Sequence, residues 1–232
     1  MRPLTIVLAE AGLELVPREI ENHPVVAKNA QKKGKKPSET LLDISLHYSA
    51  MKKLSKWYKR GRPDIVHISL LNALSSPLNI AGLLRVYVHT IDDRIINIDP
   101  GTRLPRNYNR FIGLIEQLLV LGRAPPSSEK PLLWIEMETL KDFVDMMNFD
   151  RIILMNEHGV KKTVKILGEE LAKLMSNDKS VCVIIGAFQH GDFEETTLSL
   201  VHERISIFDK PLDSWIVVSR VIEGVENALR LC

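Results

Sequence analysis

Three guanidinium groups, Arg103, Arg106 and Arg110, straddle Asn107, a residue type that caps helix N-termini well. Positive side chains at that end oppose the helix macrodipole, at roughly 0.3–1 kcal/mol each, so helix stability does not account for them. An anion held jointly by the first-turn amides and the guanidinium forks would account for them, since both suit phosphate. Three independent surface ion pairs are the alternative. Arg62 and Asp64 form a second unusual pair: Asp64 either caps the helix that Pro63 begins or fixes the direction of the Arg62 guanidinium toward a ligand. Farther along, the apolar run 181–185 leads into Gly186-Ala187-Phe188-Gln189-His190-Gly191, where glycines let backbone approach a ligand closely. No Gly-Lys-Ser/Thr follows and the triple-glycine spacing is missing, so this is neither a P-loop nor a dinucleotide fingerprint, and a plain turn also explains it. Residues 205–212 end a strand at Lys210-Pro211 just before the last helix. If the 181–185 strand is its sheet neighbour, both loops leave the edge at which open α/β sheets bind ligands; a simple connection is the alternative. The seven histidines and two cysteines have no metal-ligand spacing, and no nucleophile elbow is present, so no metal site is expected.

The elements that must position these residues are legible in outline. Residues 4–9 read as a buried strand, and 17–37, polar and poorly periodic with four lysines around Gly34, as a loop or small insertion. Ser38 is placed to cap an amphipathic helix with Leu41, Ile44, Tyr48, Met51 and Tyr58 on its apolar stripe and Lys52, Lys53, Lys56 and Lys59 on a basic face. A helix starts at Pro63 and stops near Ser76-Pro77. Residues 83–90 and 94–98 form two strands joined by a turn at Asp92-Asp93. Asn107 opens the clearest helix, which Gly122 ends. Residues 125–131 are a short loop and the best place for a boundary. Beyond it, strands at 132–135, 151–155, 181–185 and 204–208 alternate with helices near 140–147, 164–175 and 213–229, which argues for an α/β layer with a mostly parallel sheet.

Composition sets the outer limits. A chain of 232 residues with 45% hydrophobic and 26% charged residues has the makeup of an ordinary globular protein, one large domain or two small ones. Two cysteines build no disulfide framework, which points to a reducing, intracellular setting. No signal peptide is evident at residues 1–10, and the uncharged stretch 65–84 is too rich in Ser, Asn, Pro and His to span a membrane. The formal net charge of +2 divides unevenly, with +8 on residues 1–123 and −6 on 124–232. Residues 28–62 alone carry 11 Lys or Arg against Glu39 and Asp43. That is either the footprint of a polyanion partner or a solvated lysine-rich loop.

At these residues the chain resembles the pseudouridine N1-specific methyltransferases of small-subunit ribosome biogenesis, in the SPOUT superfamily. The resemblance covers nearly the whole chain. It rests on Arg62-Pro63-Asp64-Ile65-Val66-His67, Ser76-Pro77-Leu78-Asn79 leading to Ala81-Gly82-Leu83-Leu84, Thr102-Arg103-Leu104-Pro105-Arg106 with Arg110-Phe111, Gly186-Ala187-Phe188 with His190-Gly191, and Pro211-Leu212. It implies a single SPOUT-type domain over residues 1–232: a mostly parallel sheet flanked by helices, a basic insertion at about 17–60, and a cofactor-binding deep trefoil knot at about 150–232. It implies a homodimer, S-adenosylmethionine as cofactor, and a cofactor pocket lined by Met155, Gly186, Gly191, Asp192, Phe193, Ile207, Phe208, Asp209, Lys210, Pro211 and Leu212. Arg62, Arg103, Arg106 and Arg110 become the contacts to a single-stranded hairpin loop of rRNA, with Asp64 steadying Arg62.

Pseudouridine leaves its ring N1–H free, so methyl transfer needs alignment and loss of that proton. Asp64 is the motif carboxylate nearest the expected RNA contacts, and Arg62 can instead stabilise charge developing on the base. Two other functions stay open: a non-enzymatic rRNA-binding assembly factor, and a SPOUT methyltransferase acting on another RNA position. The lack of long acidic or low-complexity tails suggests an archaeal-type, cytoplasmic protein, nucleolar if eukaryotic.

Overall fold

Apolar residues that alternate along a strand can be buried on both faces only if helices cover both faces of its sheet. In the computed structural model, which describes residues 1–136 and 139–231, β1 (Leu4–Ala11) is such a strand, buried along its whole length. Leu4, Ile6 and Leu8 pack into one core with Val66, Phe111, Leu171 and Val221, while Val7 and Ala9 meet Phe143 and Ile184 in another. The other strands are β2 (Leu84–Thr90), β3 (Ile95–Ile98), β4 (Arg123–Ala124), β5 (Leu133–Glu136), β6 (Arg151–Lys161), β7 (Val181–Gly186) and β8 (Glu203–Ser206). They form one eight-stranded sheet in the order β4-β5-β3-β2-β1-β7-β6-β8. Its centre, β2-β1-β7-β6-β8, is parallel, and β3, β5 and β4 extend it as an antiparallel arm. The loop at residues 125–131 therefore separates strands of one sheet.

The helices are α1 (Pro24–Lys33), α2 (Ile44–Met51), α3 (Pro63–Leu74), α4 (Pro77–Ile80), α5 (Tyr108–Leu121), α6 (Leu140–Met147), α7 (Val164–Ser176), α8 (Glu195–Leu198) and α9 (Ser214–Leu229). Helices α3, α5, α7 and α9 supply residues to the core on one face, and α6 to the core on the other. After β7 the chain passes β6 to lay β8 outside it, then returns to the centre of the sheet: at the start of α9, Ser214 Oγ donates to the Gly186 carbonyl at 2.5 Å. Helix α9 crosses α7 at Gly224, where a Cβ on Gly168 would lie 2.1 Å from the Gly224 carbonyl oxygen. Only glycine permits that backbone contact.

Three expectations need correction. Residues 17–37 are not a loop: they contain a 3₁₀ turn at Arg18–Ile20 and helix α1, capped by His23 and ended by Gly34 in the left-handed region. Val26 and Ala30 recur at i, i+4 and bury against Val16, Leu42 and Met51 in a small separate core. Ser38 caps no long helix. It lies in the 3₁₀ turn Pro37–Glu39, and α2 begins later, capped by Asp43, whose Oδ1 accepts from Ser45 N at 2.8 Å. The helix ends at Met51, so Tyr58 and Lys59 fall in a separate 3₁₀ turn, Trp57–Lys59, and Lys59 is buried rather than on a basic face. Finally, β8 pairs with β6, not with β7. Because all three run parallel, their C-terminal ends still share one edge.

Candidate functional site

Parallel strands release their loops together at the C-terminal edge, which is where this sheet opens a cleft of about 370 Å³, within the roughly 300–1,000 Å³ of small-molecule sites. Ile185 and Ile205 lie where β7 and β8 deliver them. The loop after β7 contributes Phe188, Gln189, Gly191, Asp192 and Phe193, and the turn after β8 contributes Ile207, Phe208, Lys210, Pro211 and Leu212. Met155, Asn156, Glu157 and His158 come from β6, where its register against β8 slips between Met155 and Val160. The rings of Phe188 and Phe193 meet edge to face at 5.2 Å. Asn156 Nδ2 donates to Asp192 Oδ1 at 3.3 Å, tying two of the loops. Gly191 has φ +100°, and a Cβ there would come within 2.9 Å of the Tyr58 ring.

Of the expected pocket residues, Met155, Gly186, Gly191, Asp192, Phe193, Ile207, Phe208, Lys210, Pro211 and Leu212 line this cleft. Asp209 does not; its exposed carboxylate pairs with Lys161. Beyond the expected set, the cleft is also lined by Asn156 to His158 on the β6 irregularity, Ile185, Phe188 and Gln189, Ile205 and Ser206, and Ser214 and Val217 of α9. Gly159, inside a strand pattern, is the signal that marks the irregularity.

Beside the cleft, three helix N-termini converge. Ile44 N donates to Gly61 O at 2.8 Å, placing the start of α2 against the start of α3. Tyr108 OH donates to Asp43 Oδ2 at 2.7 Å, which joins the start of α5 to that of α2. His67 Nε2 and the Pro105 carbonyl lie 2.7 Å apart, and the His67 ring stacks on Phe111 at 4.3 Å, so the 103–106 turn is pinned to α3. Burial, then the Asp43 carboxylate, pushes the Tyr108 hydroxyl up, keeping it a neutral donor. Arg62 donates through Nε and Nη2 to both oxygens of Asp64, at 2.8 and 2.7 Å. That bidentate bond, opposed by burial, raises the Arg62 pKa further. Of the two roles open to Asp64, the side chain takes the second: it orients the guanidinium, and the N-cap has no side-chain bond.

Arg103, Arg106 and Arg110 are exposed, and none has an ion-pair partner among the described residues, which removes the surface-pair alternative for them. Much of the basic stretch 28–62 behaves differently. Lys33 and Lys35 both bind the buried Glu116 of α5, at 2.9 and 2.6 Å, Arg60 binds Glu14, and Lys56 and Lys59 bind Glu194 and Glu10. The segment is docked on the body by internal ion pairs, leaving Lys28, Lys32, Lys52 and Lys53 without one among the described residues. The corner and the cleft are linked through backbone: Arg62 N donates to Gly12 O at 3.0 Å, and Gly12 N to Ala187 O at 3.4 Å, between cleft residues Gly186 and Phe188.

Fold and site thus define an α/β protein with a small-molecule cleft at its parallel edge and an anion-attracting corner beside it. The chain belongs to the EMG1/NEP1 methyltransferase family, whose model matches residues 6–226. It is 52% identical over 225 residues to the ribosomal RNA small subunit methyltransferase Nep1 of Staphylothermus marinus, covering 97% of this chain and 96% of that protein. The Thermococcus kodakarensis protein of the same name is 45% identical, with 98% and 100% covered. The crystal structure of Archaeoglobus fulgidus Nep1 bound to S-adenosylhomocysteine superposes with a TM-score of 0.84 at 39% identity, covering 99% of each chain.

Proposed function

We propose that this chain is an S-adenosylmethionine-dependent methyltransferase of small-subunit rRNA that acts in ribosome biogenesis and methylates N1 of a pseudouridine in an unpaired hairpin loop. The observation that carries the reading is the junction just described: a cleft at the sheet edge and an arginine corner, joined through Gly12. Relatives named as rRNA small-subunit methyltransferases, and a neighbour holding S-adenosylhomocysteine, support it. The cleft fits such a ligand. Its apolar and aromatic walls suit a nucleoside, and it carries the carboxylates of Glu157 and Asp192 against the single ammonium of Lys210, a balance that suits a cationic sulfonium. The path of α9, back to Gly186 after β8 has passed outside β6, suits a tail threaded as a deep trefoil knot. Homodimer formation and a cytoplasmic setting complete the proposal. Among the described residues no helix is long and apolar enough to cross a membrane.

S-adenosylmethionine supplies a methyl group on a positive sulfonium. The chain's task is to hold the nucleobase in line with the methyl group and stabilise it as N1 gives its proton to solvent water. Asp64 accepts from Arg62 through both oxygens, and so fixes the direction of the guanidinium. Arg62 keeps its remaining N–H groups for the base or its flanking phosphate, where a fixed positive charge favours the deprotonated ring. Arg103, Arg106 and Arg110 hold neighbouring phosphates.

Two hairpin RNAs differing only in pseudouridine or uridine at one loop position test the reading, with product nucleosides resolved by mass spectrometry. Methyl appears on N1 of the pseudouridine RNA alone. Methylation of a ribose hydroxyl or of the uridine RNA overturns the position, and no binding of S-adenosylhomocysteine at high micromolar concentration favours an assembly factor.

A further inference from the structure

A buried charge pair costs desolvation that an apolar pair of similar size avoids, so fold stability alone does not explain one. Lys59 and Glu10 form such a pair at 2.8 Å, with side chains 3% and 4% exposed. Glu10 ends the regular part of β1 with φ +52°, a left-handed conformation unusual for a residue with a side chain. That conformation sends its carboxylate across to the cleft loop. Oε1 accepts from Glu194 N at 2.9 Å and from Thr197 Oγ1 at 2.8 Å, while Oε2 takes Lys59. The Lys59 ammonium also donates to the Asp192 carbonyl and to Glu194 Oε1, and lies 4.5 Å from the centre of the Phe188 ring. Every proton of the ammonium is used. Phe188 and Asp192 line the cleft, and Lys59 stands three residues before Arg62 on the same docked segment.

We infer that Lys59 and Glu10 are positioning residues that shape the 188–194 wall of the cofactor cleft from the segment carrying Arg62, so that cofactor and RNA each strengthen the other's binding. The inference rests on the function proposed above. A ligand in the cleft needs the 188–194 wall in place, RNA on Arg62 needs the 56–62 segment in place, and the pair makes these one arrangement. Linkage then requires the same coupling factor whichever ligand binds first. Lys56, bonded to the outer side of Glu194 at 2.7 Å, reinforces the link from the surface.

Calorimetry with S-adenosylhomocysteine, alone and with saturating pseudouridine hairpin, reads the factor. In the wild-type chain the RNA raises affinity by about fivefold or more, the lower end of typical coupling. The double variant Glu10→Gln/Lys59→Met leaves no lone buried charge. It binds S-adenosylhomocysteine about tenfold more weakly, with the coupling factor falling toward one. Lys56→Met, made at a half-exposed side chain whose surface ion pair adds little to stability, lowers the factor in part and decides the matter should the double variant not fold. Unchanged affinity and unchanged coupling in the folded variants, or a wild-type factor of one, overturns the inference while leaving the methyltransferase reading intact. Absence of S-adenosylhomocysteine binding to the wild-type chain overturns both.

Discussion

The division of the basic residues into docked and free ones sets a number for RNA binding. Neutralising phosphates of a single strand lowers log affinity against log salt by roughly 0.7 for each contact. If the RNA is held by Arg62, Arg103, Arg106 and Arg110, the slope is roughly −3, and affinity falls about fiftyfold between 50 and 200 mM salt. If Lys28, Lys32, Lys52 and Lys53 also grip the strand, eight contacts give a slope of roughly −6 and a loss of roughly two-thousandfold. The structure favours the smaller value, because the arginines gather where three helix N-termini meet. Fluorescence anisotropy of a labelled hairpin, titrated at several salt concentrations, reads the slope directly. Arg106→Ala should reduce it by about 0.7, and Lys53→Ala should leave it unchanged. A wild-type slope near −6, or Arg106→Ala without effect on it, would refute the assignment.

Three further outcomes follow from single contacts. Gly191→Ala places a Cβ against Tyr58 at φ +100°. Strain of about 1–3 kcal/mol should weaken S-adenosylhomocysteine binding about tenfold, measured by calorimetry. Phe111 is wholly buried and carries the His67 ring that pins the 103–106 turn, so Phe111→Ala should cost about 3–5 kcal/mol, seen as a lower urea midpoint. Glu116 is buried, which works against its charge, yet the bonds from Lys35, Leu41 N and Lys33 hold its pKa below the usual carboxylate value. Its stabilisation is therefore complete above the ordinary glutamate range near ~4.3 and is lost as pH falls through the lower folded value. Glu116→Gln should cost about 1.5–3 kcal/mol at pH 7 and should flatten the acid limb of stability, followed by urea unfolding across pH 7 to 3.

What could be read from the chain beforehand depended on how local the signal was. Strand β1 and helices α3, α5 and α7 announce themselves through apolar periodicity with a good cap or breaker at an end, as Pro63, Asn107 and Gly122 do. The Arg103 turn stood out because charges there oppose the helix dipole. Helix α1 is hidden because only Val26 and Ala30 are buried, while its exposed face mixes Lys28, Gln31, Lys32 and Lys33 with Pro24, Val25 and Ala27 and so shows no clean apolar period. Its partner, Glu116, lies some 80 residues away, a distance no local window spans. Lys59 was misplaced for the same reason, since its neutralising carboxylates, Glu10 and Glu194, come from opposite ends of the chain. The cleft was legible where glycine and proline mark turns. It was less legible at Asn156 to His158, where Gly159 is the local sign of the irregular pairing of β6 with β8 that brings these residues to the cleft.

As proposed, the cleft and the arginine corner are two halves of one active site. Arg62→Ala tests it most directly, because the truncated side chain leaves the Arg62 N to Gly12 O bond and the cleft residues in place. Methyl transfer to the pseudouridine hairpin should fall by at least about a hundredfold, the scale of losing one fixed electrostatic contact to a reacting group, while S-adenosylhomocysteine still binds. Transfer at the wild-type rate by this variant would contradict the account.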